Sequence, residues 1–190
     1  MAEEQPHKRV KLHKTVVLVG MMGAGKTAVG RTLAAQLGVE FLDSDHEIEE
    51  AANMSIAEIF ARDGEAFFRD KESQVIERLL AGTPCVLSTG GGAFLAQRNR
   101  EVITEKGVSI WLDADLEVLW ERVRHRNTRP LLQTEDPKAT LAEIFKARVP
   151  IYATADLSVR SVGSASLEDM GRSVQQALLD KRPDVLESVT

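Results

Sequence analysis

The stretch Gly20-Met21-Met22-Gly23-Ala24-Gly25-Lys26-Thr27 fits G-x-x-x-x-G-K-[ST] and, more than any other feature, limits what this chain can fold into. It follows residues 15–19, Thr-Val-Val-Leu-Val, a β-branched and almost wholly apolar run that reads as a strand covered on both faces. It precedes residues 26–37, where Val29, Leu33 and Leu37 recur at helical spacing and Gly38 supplies a stop. Glycines let such a loop turn its backbone N–H groups toward an anion, and the helix that follows presents its positive end to the same place. A purely structural glycine turn leaves Lys26 and Thr27 in this frame unexplained.

The rest of the chain repeats the alternation. Residues 39–42, 84–87 and 108–112 read as further strands and 157–159 as a weaker fifth, with helical stretches at 45–53, 55–63, 65–81, 115–124, 140–153 and 167–179. Strands alternating with helices imply right-handed crossovers. The expected fold is therefore α/β: a central five-stranded parallel sheet flanked by helices on both faces, with ligands at the carboxyl ends of the strands. At 190 residues and 43% hydrophobic content the chain buries one substantial core. It is expected to comprise a flexible tail at 1–13, a single P-loop domain at 14–182 and a C-terminal tail at 183–190.

Composition narrows the partners. A net charge of −5 argues against wholesale binding of nucleic acid or an anionic membrane, and no run of about 18 apolar residues is present. The single cysteine, Cys85, forms no internal disulfide, no Cys/His cluster has zinc spacing, and residues 1–14 have neither the apolar run of a signal peptide nor a transit-peptide pattern. The basic cluster Lys8, Arg9 and Lys11 reads as solvated charge. These features suit a cytoplasmic protein.

In the glycine loop, Lys26 is placed to reach the β- and γ-phosphates of a nucleotide, and the Thr27 hydroxyl to ligate Mg²⁺. Asp43 and Asp45 close the second strand two residues apart, a spacing that on a strand points both carboxylates to one side. Asp43 then suits Mg²⁺ through its water shell and Asp45 an acceptor hydroxyl; equally, one of them serves as a helix N-cap. Gly90-Gly91-Gly92 follows a buried strand and carries the entropic penalty of three adjacent glycines, so something must approach closely there. Arg69, Arg129 and Arg148 together supply what phosphoryl transfer requires: a mobile cation for the γ-phosphate and fixed forks for an anionic acceptor.

Asp43-x-Asp45, Phe68-Arg69, Gly90-Gly91-Gly92, Arg129-Pro130-Leu131 and Arg148-x-Pro150-x-Tyr152, in that order after the glycine loop, closely resemble the shikimate kinase family from about residue 15 to 156. The resemblance implies a P-loop kinase domain that uses MgATP to phosphorylate the 3-hydroxyl of shikimate, on the route to chorismate and the aromatic amino acids. It makes Lys26, Asp45 and Arg129 catalytic, and Asp45, Arg69, Gly91, Arg148, Phe60 and Phe68 substrate-binding, with Glu72 orienting Arg69. ATP falls to Gly23, Ala24, Gly25, Lys26, Thr27, Ala28, Arg122 and Arg129, and Mg²⁺ to Thr27 and Asp43. A substrate-binding region at about 45–81, a mobile lid at about 124–136 and an adenine loop near 160–164 complete the expectation. The chain is expected to act as a monomer on a small molecule, without nucleic acid or membrane.

Alternatives remain at this level. Asp113, ending the strand at 108–112, is a rival metal ligand on strand position alone, whereas the resemblance puts Ser88 at the corresponding place. A regulatory GTPase would carry N-K-x-D and D-x-x-G, and this chain has neither. A kinase for gluconate or a nucleoside monophosphate shares the glycine loop; the order and spacing of the five motifs separate it.

Overall fold

The computed structural model describes residues 9–126 and 129–189. The chain runs β1 (Arg9–Leu12), β2 (Thr15–Val19), α1 (Lys26–Leu37), β3 (Phe41–Asp43), α2 (Ser44–Ala52), α3 (Ile56–Asp63), α4 (Glu65–Leu80) and β4 (Val86–Ser88). It continues through α5 (Gln97–Lys106), β5 (Gly107–Asp113), α6 (Leu116–Val123), α7 (Pro137–Tyr152), β6 (Leu157–Arg160), α8 (Leu167–Lys181) and β7 (Leu186–Val189). Single 3₁₀ turns form at Ala93–Leu95 and Pro130–Leu132.

Five strands make one parallel sheet in the order β3-β4-β2-β5-β6. Every residue of β2 is buried. Because alternate residues of a strand point to opposite faces, that pattern requires both faces of the sheet to be covered. The chain leaves β2 first for the β3–β4 side and later for the β5–β6 side, so the order reverses at the carboxyl end of β2. Ligands bind at such a reversal, and the glycine loop starts there.

Local chemistry sets the helix ends around this point. α1 stops at Gly38, whose left-handed backbone (φ 66°) lets its N–H reach the Ala34 and Ala35 carbonyls. α2 is capped by the Asp43 carboxylate and α3 by a reciprocal Ser55–Glu58 capping box. α2, α3 and α4 bury a small core of their own, Ile48, Ile59, Phe68 and Val75, beside the main one. This satellite carries most of the residues expected to hold the acceptor.

Three expectations need correction. The terminal stretches are not simple tails: β1 pairs antiparallel with β7, Arg9 opposite Val189 and Leu12 opposite Leu186, and Leu186 is buried. Lys8 lies outside the described residues. Helix α5 was not anticipated, because QRNREVITEK buries only Asn99 and Ile103 and shows no apolar stripe. The strand at 84–87 is displaced to Val86–Ser88 and the one at 39–42 to Phe41–Asp43. Of the expected lid at about 124–136, Asn127 and Thr128 lie outside the described residues.

Candidate active site

The loop between β2 and α1 holds Gly23 at φ 82° and Gly25 at φ 91°, backbone conformations that favour glycine. A Cβ on Gly23 would also stand 2.7 Å from a Val123 methyl. Lys26 folds its Nζ back into the loop, donating to the Gly20 carbonyl (2.7 Å) and the Met21 carbonyl (3.0 Å). Burial, followed by the nearby Arg129 charge, brings the Lys26 pKa down to about 8. Arg122 donates to the Gly23 carbonyl (3.0 Å) and reaches the Ser161 hydroxyl.

These groups line a cavity of about 790 Å³. All the residues expected to hold the nucleotide, Gly23 to Ala28 with Arg122 and Arg129, face it, as do Asp43, Asp45, Gly90 and Gly91. Ser161, Ala165, Leu167 and Met170 line it as well. The expected loop at 160–164 contains only the first of these; Ala165, Leu167 and Met170 were missed. The i, i+3 spacing of Leu167 and Met170 at the start of a helix was the available signal.

Asp43 does two things at once. Its Oδ1 accepts from the backbone N–H groups of Asp45 (2.9 Å) and His46 (3.3 Å), while Thr27 Oγ1 donates to its Oδ2 (3.4 Å). The capping reading and the metal-site reading therefore fall on different oxygens of one carboxylate. Asp45 lies in the first turn of α2, not on the strand, so the alternation argument for the pair fails although both reach the cavity. Burial, then the Asp43 charge, pushes the Asp45 pKa up to about 6.

The glycine triplet is explained residue by residue. A Cβ on Gly90 would stand 2.8 Å from Asp45 Oδ1, one on Gly91 3.3 Å from an Arg148 guanidinium nitrogen, and one on Gly92 2.6 Å from an Arg69 guanidinium nitrogen. Three side chains from α2, α7 and α4 thus converge on three consecutive residues that have none. Arg69 is steadied by Glu72 (2.9 Å), a carboxylate that is 1% exposed and whose pKa burial raises. It also lies over the Phe68 ring (5.3 Å), which packs tilted against Phe60 at 4.7 Å.

Asp113 is drawn out of contention as a metal ligand. It pairs with Arg160 at 3.1 Å and does not line the cavity, whereas buried Ser88 does. Among the described residues no three His, Cys, Asp or Glu side chains form a metal cage. Thr27 and Asp43 offer hard oxygen ligands beside the loop, which fits Mg²⁺, an ion that keeps several waters and takes the rest of its shell from substrate phosphates.

A model of the shikimate kinase family matches residues 22–178. The chain belongs to the shikimate kinase family. It is 69% identical to a shikimate kinase of Ruegeria pomeroyi over 93% of this chain and 90% of that one. To a shikimate kinase of Cereibacter sphaeroides it is 65% identical over 94% and 88%. Among solved structures, shikimate kinase from Acinetobacter baumannii in complex with shikimate superposes with a TM-score of 0.82 at 39% identity, covering 89% of this chain and 94% of that chain. The family match leaves out β1, β2 and β7 and takes in the glycine loop from Met22 onward, the satellite core and most of α8.

Proposed function

We propose that this chain transfers the γ-phosphoryl group of ATP to the 3-hydroxyl of shikimate, giving shikimate 3-phosphate and ADP. The convergence of Asp45, Arg148 and Arg69 on Gly90, Gly91 and Gly92, beside Lys26, carries the reading. One carboxylate and two guanidinium forks suit a small polyhydroxy carboxylate, the forks holding its carboxylate and Asp45 a ring hydroxyl. The Gly91 backbone reads further hydroxyls, and Phe60 and Phe68 supply the apolar wall.

In the reaction the acceptor oxygen attacks the γ-phosphorus, the bond to the β–γ bridging oxygen breaks, and ADP leaves. Asp45 orients the hydroxyl and takes its proton. Lys26 and Arg129 neutralise charge on the phosphoryl oxygens as they gain it. Gly23 to Ala28 hold the phosphates and Arg122 stacks on the adenine. Thr27 and, through water, Asp43 would hold Mg²⁺, which would supply positive charge to offset that of the phosphates. Residues 124–136 act as the lid that excludes water, an acceptor present at far higher concentration than shikimate. The chain works as a cytoplasmic monomer.

The test is ADP release from MgATP with shikimate, gluconate, nucleoside monophosphates or buffer. Shikimate should stimulate release well above the others; release with shikimate no greater than with buffer overturns the proposal.

A further inference from the structure

The Gly90-Gly91-Gly92-Ala93 segment is a β-turn. The Ala93 N–H donates to the Gly90 carbonyl at 3.1 Å, and Gly92, the second central residue, sits at φ −88°, ψ −11°. Gly91 does not have a positive φ either. This is the type I arrangement. Type II differs from it by a flip of the central peptide plane, here Gly91–Gly92, and requires φ > 0 at the second central residue. Most residues resist that; Gly92 does not. By its composition the turn that carries the acceptor contacts is free to occupy either form.

One side chain distinguishes the two forms. Tyr152 is wholly buried between Phe94 and Trp111, its ring centroid 6.4 and 6.5 Å from theirs, and its hydroxyl donates to the Gly91 carbonyl at 2.5 Å. That carbonyl belongs to the peptide that flips. In a trans peptide C=O and N–H point opposite ways, so fixing the Gly91 carbonyl toward Tyr152 aims the Gly92 N–H to the other side. A flip would leave the buried phenol O–H without this acceptor and reverse that N–H. Burial raises the Tyr152 pKa, partly offset by the Arg148 guanidinium against it, so the phenol stays a donor at neutral pH. The flanking backbone is pinned as well: Thr89 Oγ1 donates to the Leu18 carbonyl (3.0 Å), Asn99 Nδ2 to that of Ala93 (2.9 Å) and Arg100 to those of Phe94 and Leu95. The Gly91–Gly92 peptide is thereby the part of the segment whose setting rests on Tyr152.

We infer that the Tyr152 hydroxyl is a positioning group that locks the Gly91–Gly92 peptide in its type I orientation and so presets the acceptor half of the site. Tyr152 lies one helical turn after Arg148, so the same turn of α7 sets the carboxylate fork and the loop facing it. The kinetic consequence rests on the proposed phosphorylation of shikimate; the lock itself does not.

Tyr152→Phe removes one oxygen and keeps the buried ring. The variant should raise KM for shikimate roughly tenfold, as expected when the competent turn becomes a minor form, and leave KM for ATP within about twofold. An unchanged KM for shikimate, or equal rises in both, overturns the inference. Backbone amide exchange in the ligand-free proteins decides independently of any substrate. Faster exchange confined to Gly91, Gly92 and Ala93 in the variant supports the lock, even should the wild type ignore shikimate; unchanged exchange there overturns it.

Discussion

The Arg69 guanidinium lies 2.6 Å from the place a Cβ on Gly92 would occupy. A methyl group there would push against the far end of a flexible side chain, so the fold should accommodate Gly92→Ala while Arg69 moves away from Glu72. The expected outcome is a rise of roughly tenfold in KM for shikimate at unchanged KM for ATP. Steady-state kinetics with each substrate varied in turn would check it, and equal effects on both would contradict it.

Asp45 gives a pH signature with a definite sign. A carboxyl whose pKa is raised on folding, here to about 6, binds its proton more tightly in the folded state. Its contribution to stability is full below about pH 4 and is lost as pH rises through about 6. Asp45→Asn does not titrate, so relative to wild type it should gain about 3 kcal/mol between pH 4 and pH 8. Turnover should fall at least a hundredfold, within the ~10²–10⁴ range for loss of a general base. Urea unfolding at both pH values reads the first effect and an ADP assay the second.

Lys26 gives the opposite sign. Its pKa, brought down to about 8, should return upward when phosphates surround it. ATP binding should therefore take up a proton to a degree that grows between pH 7 and 9, approaching roughly half a proton or more at the upper end. Calorimetry in buffers of different ionisation heat measures that uptake. No growth across the range would mean the lysine is fully charged before nucleotide arrives.

The two oxygens of Asp43 allow fold and chemistry to be separated. Asparagine caps helices about as well as aspartate, so Asp43→Asn should alter stability by less than about 1 kcal/mol. It removes the charge that faces Thr27, and the Mg²⁺ concentration for half-maximal rate should rise several-fold. Magnesium titrations beside thermal melts would show whether the two effects divide in this way.

How much of this was legible in the sequence depended on how local its cause is. The β2–loop–α1 unit was, because an uninterrupted buried run, glycines with positive φ and a helix stop all lie within 24 residues, Thr15 to Gly38. Helix α5 was not, since its buried residues, Asn99 and Ile103, are too few to make a stripe. The β1–β7 ribbon was not, because each strand makes sense only through a partner at the far end of the chain; His13 meets Glu187 across 174 positions. The glycine triplet was half legible. Its entropic penalty showed that something approached, but Asp45, Arg148 and Arg69 arrive there from three helices, and no local pattern records that meeting. Spacing alone also left the Asp43–Asp45 pair open, since the end of β3 fell two residues earlier than an alternating strand would need.

The β1–β7 pairing also bears on how the polypeptide is threaded. Arg9 and Val189 are neighbours on one ladder, so the beginning and end of the described chain stand side by side, away from the cavity. A linker of a few residues would join them into a closed ring. New ends cut at the exposed Gly82–Thr83 turn, between the acceptor helices and β4, would then make a circular permutant whose strand order is unchanged.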